Sequence, residues 1–129
     1  MNLFSTLAGV LTLLAFGIHT VAGAREFRLF APSREARGPR RAWVQALAGW
    51  HWVSVSLLAS AGLFLAIGLT DRVPGEPTVL LGLAGYFAAC GLAWLATVAI
   101  SGGEVRRRYL VLGQWVFCFL VAGLAFAAA

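Results

Sequence analysis

AWVQALAGWHWVSVSLLASAGLFLAIGLT, residues 42–70, contains no Asp, Glu, Lys or Arg. A hydrocarbon core of about 30 Å needs roughly 20 consecutive apolar residues in a helix. This stretch exceeds that length, and its bounding charges, Arg41 and Asp71, mark where water resumes. Three further stretches share the property: Asn2 to Ala24, Pro77 to Gly103 and Tyr109 to Ala129. The connecting pieces are short and hold every acidic and basic side chain, so no soluble domain fits between them. The chain of 129 residues reads as one integral membrane domain, residues 1–129, with helices over about 3–27, 41–70, 78–100 and 107–128.

Composition supports this. Hydrophobic residues make up 60% and charged residues 12%, and mean hydropathy is +0.85, against about 25% charged residues in soluble domains. Short connections make sequential helices antiparallel, so the expected fold class is an all-α membrane protein, a four-transmembrane-helix antiparallel up-down bundle. The first stretch lacks the basic n-region of a secretory signal and outruns its apolar core, so it is expected to be retained despite the small residues Ala22-Gly23-Ala24.

The net charge of +5 does not indicate nucleic acid, because of where the charges lie. Arg25, Arg28, Arg34, Arg37, Arg40 and Arg41 surround the first loop and Arg106, Arg107 and Arg108 the third, whereas Arg72 alone borders the second. In short loops this asymmetry predicts that loops one and three are cytoplasmic and both termini non-cytoplasmic. Anionic headgroups are the expected partners of the basic loops. All basic residues being Arg, in an Ala- and Gly-rich chain, points to a bacterial inner membrane as the location.

Residues level with each other in an antiparallel hairpin have position numbers with a nearly constant sum. Loop midpoints near 35, 74 and 104 predict sums of about 70, 148 and 208, each good to about one helical turn of ~5 Å. His19, His51 and Thr97 then fall at one depth, about 9 Å inside the cytoplasmic boundary at Arg25, with Gln114 within a turn. Cys90 and Cys118 form a second, deeper level near Thr12, with Tyr86 one turn from Cys90. On the first helix Ser5, Thr12, His19 and Glu26 recur every seven residues, as one face requires.

A polar group facing hydrocarbon unpaired costs ~2–7 kcal/mol, so these stripes are expected to turn inward, and intramembrane ionisable residues are candidates for function. Candidate binding residues are His19, His51, Gln114 and Thr97; candidate metal ligands are His19, His51 and Glu26. A neutral imidazole suits a metal ion or a b-type haem, since no Cys-x-x-Cys-His attachment motif is present. The alternative for the histidines is hydrogen bonding between helices. Two histidines alone under-fill a zinc site, and Glu26 adjoins Arg25 and Arg28, which suits a local ion pair.

The sequence holds no phosphate loop, nucleophile elbow or paired intramembrane carboxylate, so an enzyme is the lesser expectation. The leading expectation is a small accessory or structural subunit of a larger membrane assembly or homo-oligomer. The alternatives are a metal-, haem- or small-ligand-binding bundle built on His19, His51 and Gln114, and an oligomeric transporter or channel. Close helix seams are expected at four-residue spacings of small residues: Ser56 and Ser60, Gly62 and Ala66, Gly85, Ala89 and Ala93, and Gly123 and Ala127.

Overall fold

The structure, a computed structural model, describes residues 1–70, 72–100 and 113–129. The elements are α1 (Leu3–Ile18), a π-helical turn (His19–Gly23), α2 (Ala24–Leu29), α3 (Arg37–Leu69), α4 (Glu76–Ile100) and α5 (Gln114–Ala128). There is no strand among the described residues. Three continuous helical runs are long and apolar enough to cross a membrane: Leu3–Leu29, Arg37–Leu69 and Glu76–Ile100, of 27, 33 and 25 residues, with α5 a shorter apolar helix. The expected start of the last helix near Arg107 lies outside the described residues.

Two helices begin earlier than the sequence suggested. α3 starts at Arg37 rather than Arg41, and α4 at Glu76 rather than Thr78. Both now include a proline, Pro39 and Pro77, in the first turn. A first-turn residue has no intrahelical acceptor for its N–H, so proline is tolerated there and does not mark a loop.

α1 packs along α3 and also touches α5, while α4 packs along α5 and scarcely meets α3. The arrangement is therefore two antiparallel pairs joined through α1 and α5. Their shared core is made of Ala8, Phe64, Ile67, Leu80, Ala84, Phe87, Val121, Ala122 and Ala125. All of these lie towards the end where the two termini and the loop after α3 converge. Nothing between residues 13 and 53 is fully buried, so at the opposite, Arg-rich end the first pair is held mainly by its own contacts.

Asn2 ties the closed end together. Its side chain accepts from Ser5 N (3.2 Å) as the N-cap of α1, and donates to Ala128 O (2.8 Å) and towards Glu76 Oε1 (3.4 Å). Its backbone N–H donates to Gly68 O (3.0 Å). One residue thus reaches the end of α3, the start of α4 and the end of α5. Asparagine suits this because one amide supplies an acceptor and two donors.

The close seams are not the ones expected from spacing. An added Cβ would meet Leu65 at Gly9, Thr6 at Gly68 and Phe119 at Gly91, whereas Gly62, Gly85 and Gly123 have open space around them. Of the remaining candidates only Ser60 is buried; Ala89, Ala93 and Ala127 are exposed. Four-residue spacing fixes that small residues share a face, but in an Ala-rich helix several faces qualify and packing selects another.

Candidate functional site

The first hairpin obeys the predicted constant sum. Ser5 Oγ donates to Phe64 O (2.8 Å), His19 meets Trp50, and Phe27 stacks on Trp43; each pair adds to about 70. The second pair behaves likewise near 208, with Gly91 against Phe119 and Phe87 against Phe117. Depth was therefore legible in the sequence, and His19 and His51 do lie at nearly the same height.

Azimuth was not. His19 points at α3 and is half-buried, but it engages Trp50 rather than His51. The imidazole lies flat on the indole, with ring centroids 3.9 Å apart and planes 11° apart. Its Nε2 is 3.2 Å from Trp50 O. A carbonyl only accepts, so Nε2 carries the proton and donates. His51, one residue further along α3, is turned by about 100° from Trp50 and is exposed. The two imidazoles do not face each other across the helix pair.

Around this contact an aromatic column forms at the Arg-rich end of the first hairpin. Phe27 lies 5.5 Å from Trp50 and 5.6 Å from Trp43, and Trp43 Nε1 donates to Phe27 O (3.4 Å). Gly23 is required here, because a Cβ would come within 2.6 Å of Trp50 Cη2. Trp50 Nε1 is buried and finds no acceptor among the described residues; the ring is held by its faces.

The π-helical turn decides which residues join the column. A π-turn inserts one extra residue into a helix, so the seven-residue stripe Ser5, Thr12, His19 continues at Phe27 instead of Glu26. Ser5 and Thr12 are buried and His19 is half-buried, as the stripe predicts. Glu26 is exposed and off the face, which separates it from His19 as a ligand partner.

The other candidates are satisfied locally or turned outward. Thr97 Oγ1 is exposed and donates to Ala93 O (2.9 Å) on its own helix, and Gln114, at the start of α5, is exposed. Thr12 Oγ1 donates to Ala8 O (2.7 Å) and Thr20 Oγ1 to Phe16 O (2.7 Å). A second glutamine, Gln45 on α3, was not among the sequence candidates and is also exposed.

Among the described residues, no three His, Cys, Asp or Glu side chains are grouped so as to hold a metal ion. A bis-histidine haem does not fit either, since the indole of Trp50 covers one face of His19 and His51 points away. The deeper level is better assembled. The Tyr86 phenol lies beside the Ser56 hydroxyl of α3 and the Cys90 thiol, with Cys118 of α5 near by. Both cysteines are free and partly buried.

Substitution separates the two roles of His19. His19→Phe keeps the stacked ring and loses the bond to Trp50 O, an expected cost of about 1 kcal/mol. His19→Ala loses the stack and leaves a void, about 2–3 kcal/mol. Thermal unfolding of both variants in detergent micelles checks the order; equal losses would remove the stacking role. Comparison with sequence-family models, curated proteins and solved structures found no match for this chain.

Proposed function

We propose that this chain is a small polytopic membrane protein that serves as an accessory subunit of a larger membrane assembly, docking through the outer face of α3 at His51 and Trp52. In this reading four spans cross a bacterial inner membrane, the Arg-bearing first and third loops face the cytoplasm, and both termini lie outside. The charge asymmetry of the loops supports that orientation.

The observation that carries the subunit reading is the exposure of His51. Trp52 beside it is 78% exposed, and neither side chain has a hydrogen-bond partner among the described residues. Lipid tails offer an imidazole N–H no acceptor, so at a depth of about 9 Å the group is satisfied most cheaply by a polar atom of another protein. The other intramembrane polar groups mostly close on their own chain, which gives the binding-bundle and transporter readings less support: a ligand site or conduction path needs polar atoms left free to face it.

Extraction of the chain from its native membrane in polymer-bounded lipid discs tests this. A second membrane protein is expected at a fixed ratio, and His51→Ala is expected to lower its retention about tenfold, the equivalent of one hydrogen bond of ~1.4 kcal/mol. Recovery of the chain alone, or at a ratio that His51→Ala leaves unchanged, would contradict the reading.

A further inference from the structure

Beyond Arg25 the chain does not become uniformly polar. Arg25 and Arg28 are followed by Leu29 and Phe30, 83% and 78% exposed, and then by Arg34, Arg37, Arg40 and Arg41. Glu26 and Glu35 lie among these arginines, yet among the described residues none of the six guanidinium groups has an ion pair or hydrogen bond with another side chain. Six Arg less two Glu leave this segment with a formal charge of +4.

Two of the arginines, on different helices, also share a level. Trp43 stacks on Phe27 and bonds to its carbonyl, which fastens α2 to the first turns of α3. The constant sum near 70 sets Arg28 level with residue 42, so Arg28 and Arg41 sit at nearly the same height on adjoining helices. A segment of net charge +4, whose arginines form no ion pair among the described residues, calls for an anion from outside. Leu29 and Phe30, exposed in the same segment, call for an apolar phase.

One surface supplies both. We propose that residues 25–41 form a recognition element for anionic phospholipid, in which the arginines hold lipid phosphates and Leu29 and Phe30 seat among the upper acyl carbons. Inorganic phosphate would meet the arginines and leave the apolar pair in water. This inference rests on the membrane-spanning reading and names the partner of its basic face.

Native mass spectrometry of the full chain from micelles doped with equal phosphatidylglycerol and phosphatidylcholine reads the preference. The wild type retains phosphatidylglycerol over phosphatidylcholine. R25Q/R28Q loses about thirty-fold in phosphatidylglycerol affinity, at about 1 kcal/mol per Arg near the surface. R72Q, at the other end, binds as the wild type does. L29S/F30S, with every charge kept, also weakens binding, and inorganic phosphate at matched concentration does not displace the lipid.

Equal retention of the two lipids, full affinity in R25Q/R28Q or in L29S/F30S, or displacement by inorganic phosphate would each overturn the proposal. Circular dichroism shows whether each variant remains helical. Alkaline carbonate extraction from reconstituted vesicles separates the two possible failures. A chain that is stripped off contradicts the spanning reading, whereas a chain that stays without lipid preference contradicts only the lipid element.

Discussion

Gly68→Ala is expected to lower stability by about 3 kcal/mol, the upper end of what overpacking a tight contact costs. An added Cβ would meet Thr6, with its backbone N at 2.7 Å and its Cα at 2.9 Å. A flexible side chain can rotate away from such a clash, but backbone cannot, so α1 and α3 must move apart. The bond from Asn2 N to Gly68 O crosses the same point and stretches with that movement. Gly62→Ala on the same helix meets open space, and replacing an interior helical glycine there is expected to gain roughly 0.5–1 kcal/mol. Denaturant titration in micelles followed by circular dichroism checks both signs. Equal behaviour of the two variants would contradict the close approach at Gly68.

Asn2→Ala carries the second large expected effect, a loss of about 2 kcal/mol. It removes an N-cap worth ~1 kcal/mol together with the bond to Ala128 O, worth a comparable amount. The side-chain contact towards Glu76 goes with it. Asn2→Asp is the sharper variant. It keeps the acceptor that caps Ser5 N, but it has no N–H for Ala128 O and sets a carboxylate against Glu76. It is therefore expected to fare no better than alanine at neutral pH, although aspartate is normally an equal N-cap. The same denaturant titration reads this, and full stability in Asn2→Asp would show that the N-cap alone accounts for Asn2.

The readable part of this fold was height along the bundle axis. Uncharged stretches gave the helical runs, and loop midpoints gave the levels at which Ser5 meets Phe64, His19 meets Trp50 and Phe27 meets Trp43. What stayed illegible was rotation about each helix axis. His51 and Trp50 differ by one position, and that single step of about 100° exchanges an imidazole facing its partner for one facing outward. The π-helical turn at His19–Gly23 had no sequence marker, so the seven-residue stripe pointed to Glu26 when Phe27 was the next residue on that face.

Asn2 is a different case. An asparagine immediately before an apolar run is a recognisable N-cap, so the residue could have been singled out as the start of α1. That the same side chain also reaches Ala128 and Glu76 depends on α4 starting and α5 ending at the same level, which no local pattern encodes. The glycine seams show the same division. Gly9, Gly68 and Gly91 are indistinguishable in the sequence from Gly62, Gly85 and Gly123 until the neighbouring helices are in place.

The polar groups therefore divide by whether the chain itself satisfies them. His19, Ser5, Thr12 and Thr97 have acceptors within the protein, whereas His51 has none among the described residues. The subunit reading depends on that contrast, and site-specific photo-crosslinking in intact membranes tests it most directly. A photoreactive residue replacing Trp52 is expected to give one discrete higher-mass adduct with another membrane protein, while the same group replacing Phe126, 70% exposed on α5, gives lipid adducts. Lipid adducts alone from both positions would contradict a protein partner on the His51 face.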